Sequence, residues 1–179
     1  LGEYTALAIS GYFSFVDALK IISVRGEAMQ KSVENSNTGM AAVLTTDLEA
    51  TLKEITVLNS QDIEIWVSNY NDASQIVISS SIDNLEYLKS NAKALAARRV
   101  IPLEVAGAFH TKTVSPAKPA LAEALEKIQI QEGAIPVYMN VDANLATART
   151  LKERLVNQID SSVMFYDQIL KIDAEIKPS

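Results

Sequence analysis

Met40-Ala41-Ala42-Val43-Leu44, Ile63-Glu64-Ile65-Trp66-Val67, Gln75-Ile76-Val77-Ile78-Ser79 and Arg99-Val100-Ile101-Pro102-Leu103-Glu104-Val105 are the stretches that decide the fold. Each is short and rich in aliphatic or β-branched residues, and turn formers or polar residues bound it, which is the pattern of strands. Asp47 caps a helix to about Val57 between the first two. Asn69-Tyr70-Asn71-Asp72 reads as the turn between the second and third, and Asp83 opens a helix to about Ala97 before the fourth. The order β-α-β-β-α-β is the split βαβ, or ferredoxin-like, arrangement of an α/β protein.

Outward from this unit the pattern changes. Glu3 to Ser10 is small and mostly apolar, suiting a helix that stops at Gly11. Ser14, with Asp17 three residues later, resembles a capping box ahead of a helix from Phe15 to Val33. Glu34 to Gly39 is a polar break. Beyond a loop at Gly107–Thr111, Pro116 or Pro119 leads a helix through Ala120–Lys127. Ile135–Met139 reads as a short strand, and helices are expected over Ala148–Ile159 and Met164–Ile172. Residues 39–105 therefore read as a compact insert, flanked by segments 1–38 and 106–179 that need each other or further partners to fold. The opening Leu1-Gly2-Glu3-Tyr4, with neither Met nor a charged leader, reads as part of a longer sequence.

The 179 residues carry 16 Lys and Arg against 22 Asp and Glu, a net charge of −6, with 48% hydrophobic and 21% charged residues. That balance belongs to a folded domain, and a chain of this size can bury about 70% of its extended surface. Zero Cys excludes disulfides, thiolate metal sites and cysteine nucleophiles, and a single His excludes multi-histidine zinc sites. No metal and no cofactor are expected. The acidic balance disfavours nucleic acid. A βαββαβ sheet can bind RNA, but the aromatic strand motif for it is missing here. No apolar run reaches the ~18 residues that a bilayer span requires, so no membrane contact is expected.

His110, in Gly107-Ala108-Phe109-His110-Thr111, is the chain's single imidazole. Its setting suits a general base near neutral pH, and equally a loop histidine with no role. No strand–Gly-x-Ser-x-Gly–helix pattern supplies a nucleophile within the chain. Arg25 lies in a helix otherwise rich in core positions. It could present its planar fork to a carboxylate or phosphate, or pair with Glu27 or Glu3 at the surface.

Taken together, these stretches resemble the malonyl-CoA:acyl carrier protein transacylase family. Its nucleophile motif reads Gly-His-Ser-Leu-Gly-Glu-Tyr, and this chain opens Leu1-Gly2-Glu3-Tyr4. The resemblance continues through Arg25-Gly26-Glu27-Ala28-Met29-Gln30, Gly39-Met40-Ala41-Ala42-Val43, Asn69-Tyr70-Asn71 with Gln75–Ser79, and Gly107-Ala108-Phe109-His110. It ends at Ile135-Pro136-Val137 with Asn140-Val141-Asp142. All six matches fall in family order and at family spacing.

The resemblance implies an α/β-hydrolase-like acyltransferase subdomain, incomplete here, interrupted by the ferredoxin-like one. It implies ping-pong transfer of malonyl from malonyl-CoA, through a seryl ester, to the phosphopantetheine thiol of acyl carrier protein in fatty acid synthesis. By the same resemblance His110 is the base, and Arg25 pairs with the free malonyl carboxylate. The backbone N–H of Leu1 serves the oxyanion, and Met29 lines the pocket. Phe109 leaves little room for an α-methyl branch, and Asn71 is counted among the substrate-binding residues. The serine is expected immediately before Leu1, so residues 1–179 alone are expected to be inactive. The family's Gly-Pro-Gly region is expected after Ser179. A catalytically inactive module that binds carrier protein or CoA is the alternative. A monomer is expected, in a bacterial cytoplasm or a plastid or mitochondrial matrix, with the plastid slightly favoured. The chain departs from the family pattern at Asp72-Ala73-Ser74, at Lys112-Thr113-Val114, and at Phe165 where Trp is common.

Overall fold

The computed structural model describes residues 1–175. Helix α1 (Gly2–Ile9) ends before Gly11, whose φ of +85° is the left-handed conformation that a glycine adopts without strain. Ser14 caps α2 (Phe15–Val33), accepting from the backbone N–H of Asp17 at 3.1 Å. Strand β1 (Thr38–Leu44) is followed by α3 (Leu48–Asn59), β2 (Trp66–Asp72), β3 (Gln75–Ser81), α4 (Ile82–Ser90) and β4 (Arg99–Pro102). Asp47 and Ser81 cap α3 and α4 through their side chains.

The sheet order is β2-β3-β1-β4, antiparallel throughout, which is the split βαβ topology. Because side chains alternate along a strand, Ala41, Val43, Ile76 and Ile78 face one way. They form a buried cluster with Ile55 and Leu58 of α3 and with Leu85 and Leu88 of α4. The opposite face carries Met40, Val77 and Ser79, and this is the face that meets the catalytic candidates.

After β4 the chain passes the His110 loop and a 3-10 turn, Lys112–Ala117, then forms α5 (Lys118–Glu126), α6 (Leu151–Gln158) and α7 (Phe165–Glu175). A second cluster joins Tyr4 and Leu7 of α1 to Ile21 and Met29 of α2, Leu121 and Leu125 of α5, and Leu151 and Leu155 of α6.

Several elements differ from the expectations drawn from sequence. The second strand starts at Trp66, because both backbone polar groups of Ile65 are taken by the side-chain amide of Asn59. Asn69–Asp72, expected as a turn, continues that strand, and the turn is left to Ala73 and Ser74. Asp72 closes it by accepting from the N–H of Ser74 at 2.6 Å. The second helix of the insert ends at Ser90, and the 3-10 turn Ala92–Leu95 follows it. The fourth strand ends at Pro102. Ile135–Met139 is no strand: among the described residues it makes one bridge, Tyr138 to Leu145, in a tight local return.

Candidate active site

A cavity of about 470 Å³ opens between α2, the free face of the sheet and the His110 loop. Leu1, Arg25, Met29, Phe109 and His110 line it, together with Asn69. Asn71 is not there. Strand β2 slips register between Val67 and Asn69 and again between Tyr70 and Asp72, so Asn71 is the extra residue of a bulge. Asn71 lines a different cavity, of about 460 Å³, with Glu3, Asn140 and Gln168. A sequence pattern of period two would keep both asparagines on one face, and carries no signal for the second bulge.

His110 takes a left-handed backbone, φ +59°, which a non-glycine residue holds only when its surroundings impose it. Its Nδ1 lies 3.2 Å from the carbonyl oxygen of Gln158. A carbonyl can only accept, so Nδ1 carries the hydrogen and Nε2 keeps the lone pair. Burial, and to a lesser degree the charge of Arg25, lower its pKa to about 4. The ring is therefore neutral, and a base, at physiological pH. Gly107 is required by close approach: a Cβ on it would lie 2.6 Å from Cβ of Val33.

Arg25 and Met29 are one helical turn apart on the same face of α2. The Arg25 guanidinium stands 5.7 Å from the centre of the Tyr4 ring, and its Nε is buried without a partner. Among the described residues Arg25 makes no ion pair: Glu27 accepts from Ser23, and Glu3 accepts from the N–H of Asn140 at 2.7 Å. Burial raises the pKa of Glu3. Leu1 precedes the first turn of α1, where the N–H groups of Tyr4 and Thr5 bond back to its carbonyl. No group of three or more metal-ligating side chains occurs among the described residues, and no described helix is long and apolar enough to cross a membrane.

A neutral imidazole with an anchored Nδ1 and a guanidinium with no carboxylate partner among the described residues face one cavity, which pairs a proton acceptor with a fork that can bind an anion. The chain belongs to the acyl transferase domain family, which matches residues 1–179. It is 39% identical over 177 residues to a malonyl CoA-acyl carrier protein transacylase of Bacillus subtilis, covering 98% of this chain and 56% of that protein. An acyl carrier protein S-malonyltransferase from Vibrio cholerae superposes with a TM-score of 0.87 at 30% identity, covering 97% of this chain and 57% of that one. A malonyl-transacylase in complex with a type II polyketide synthase acyl-carrier protein gives 0.86 at 28% identity, with 97% and 56% covered. The chain thus spans little more than half the length of these relatives.

Proposed function

We propose that this chain forms the acyl-recognition part of a malonyl-CoA:acyl carrier protein transacylase working in fatty acid synthesis. The observation that carries the reading is the sharing of one cavity by His110 and an Arg25 that has no anionic partner among the described residues. Residues 1–38 and 106–175 belong to the larger subdomain in this reading, and residues 39–105 to the smaller; the two separate apolar clusters support that division.

In the reaction, a serine directly before Leu1 attacks the thioester carbonyl of malonyl-CoA while Nε2 of His110 takes its proton. The Leu1 N–H, which that serine would make a peptide group, donates to the oxyanion. The C–S bond breaks, and the CoA thiolate leaves with the proton from the imidazolium. The phosphopantetheine thiol of the carrier protein then gives its proton to His110 and attacks the seryl ester, and the serine leaves with that proton. Arg25 holds the malonyl carboxylate through both halves by two parallel hydrogen bonds. Phe109 narrows the cavity beside the α-carbon. A monomer in a bacterial cytoplasm, or in a plastid or mitochondrial matrix, goes with this reading; the bacterial relatives give no ground for preferring the plastid.

The test is transfer itself, in the protein carrying that serine. Mass spectrometry should find malonyl on the serine after incubation with malonyl-CoA, and then on an added holo carrier protein. Tight binding of both partners with no seryl ester would instead identify a binding module without turnover.

A further inference from the structure

Two buried hydroxyls lie outside the roles given so far. Ser68 is the extra residue of the first β2 bulge, between Val67 and Asn69, and Ser79 stands on β3 beside it. Both are fully buried, and their Oγ atoms are 2.6 Å apart. Ser68 Oγ donates to the carbonyl of Phe109 at 3.0 Å, one residue ahead of His110; Ser79 Oγ lies 3.4 Å from the same carbonyl. Each hydroxyl has one hydrogen to give, so the shorter contacts define a relay: Ser79 donates to Ser68, and Ser68 to Phe109.

The backbone of Ser68 serves the other side of the imidazole. Its carbonyl accepts from the N–H of Val163 at 2.8 Å, and the carbonyl of Val163 accepts from the N–H of Tyr70 at 2.9 Å. Ser162 Oγ donates to the carbonyl of Val67 at 2.6 Å. This short segment is closed onto the end of α6 by Gln158, whose side-chain amide donates to the carbonyls of Ser161 and Ser162 at 2.9 and 3.3 Å. The carbonyl of Gln158 is the acceptor for His110 Nδ1. One residue of the small sheet therefore grips both the loop that carries the imidazole and the segment that carries its acceptor.

We infer that Ser68 and Ser79 are positioning residues, whose relay to the Phe109 carbonyl holds His110 in its left-handed backbone and so keeps Nδ1 bonded to Gln158. Trp66 lies opposite Ser79, so residue 68, two positions on, shares the face of Ser79, and the bulge at Ser68 then brings Asn69 opposite Val77 on that same face. The inference bears on the base of the proposed reaction, but its geometry stands without any statement about substrate.

Because His110 is the only histidine, its ring resonances in a ¹⁵N-labelled sample of residues 1–179 need no assignment. Long-range ¹H–¹⁵N spectra report the tautomer directly, whether or not the protein transfers anything. The wild type should show a protonated Nδ1, an unprotonated Nε2 and a titration midpoint near 4. Among the described residues Arg25, Lys112 and Asp160 are the charged side chains around the ring, and the variants leave all three in place. Ser68→Ala should give a mixture of tautomers and move the midpoint by about one unit or more toward the ordinary value of about 6.5. Ser79→Ala leaves Ser68 able to reach Phe109 and should move it in the same direction by less. Should Ser68→Ala fail to fold, the Ser79→Ala shift decides. A single unchanged tautomer and an unmoved midpoint in the folded variants would overturn the inference, and would leave the transacylase reading untouched. Loss of transfer by the same variants of the serine-bearing protein, without any change in the ring spectrum, would overturn it equally.

Discussion

Among the described residues Arg25 is the only side-chain cation that lines the cavity with His110, and replacing it by Ala removes that charge. The Arg25 guanidinium already stacks on Tyr4 and pairs with no carboxylate among the described residues, so its free donors are available to a substrate anion. A hydrogen bond to a charged group contributes about 1.5–3 kcal/mol, and a bidentate one lies toward the upper end. At about 1.4 kcal/mol per factor of ten, malonyl transfer should fall by about ten- to two-hundred-fold. Acetyl transfer has no carboxylate to lose and should hold level or rise. Arg25→Lys should recover part of the malonyl rate, since an ammonium cannot form the planar fork. The assay is paired kcat/KM measurement with malonyl-CoA and acetyl-CoA in the serine-bearing protein. A ring titration gives an independent check, because removing a like charge should raise the His110 pKa from about 4. Equal loss of both acyl rates in both variants would refute the reasoning and make Arg25 a structural residue.

His110→Ala should lower malonyl transfer by about 10²–10⁴-fold, the usual range for a lost general base, as read by single-turnover kinetics on the serine ester. The lowered pKa of His110 also couples to folding: between pH 6.5 and about 4 the unfolded chain binds a proton that the folded chain refuses. Stability should therefore fall as pH drops through that window, and His110→Gln should flatten the fall in Tm measured against pH. Gly107→Ala should push the His110 loop off Val33, because the added Cβ has no room. A lower Tm together with a displaced ring resonance would show it, and wild-type values for both would contradict it. Among the described residues the cavity lining contains no hydroxyl and no thiol, so residues 1–179 alone should transfer no malonyl to a holo carrier protein. Measurable transfer would require a nucleophile from elsewhere, with Ser115 (bonded to Asp160 at 2.8 Å) the first to replace by Ala.

The strands with β-branched runs and the helices with side-chain caps were legible in the sequence. Gln75–Ser79 and α2 depend on local signals, side-chain shape in the first and the Ser14–Asp17 cap in the second. The order of these local signals was enough to propose the split βαβ sheet, since few topologies accept that order. The resemblance likewise points to Arg25, Met29, Phe109 and His110, which line one cavity in the structure. Elements whose hydrogen-bond partners lie far off in the chain were not legible. Val163 pairs with Ser68 and Tyr70 on one side of β2, and β3 pairs with Asn69, Tyr70 and Asp72 on the other, which makes Asn69–Asp72 part of a strand. The register slips of β2 at Ser68 and Asn71 were not legible either, because register against β3 depends on both strands at once. The protonated nitrogen of His110 was equally hidden, because Gln158, 48 residues away, chooses it through a backbone carbonyl that every residue type possesses. Side-chain identity carries the signals that act within a few residues, whereas backbone partners are chemically uniform. Only the folded chain selects among them.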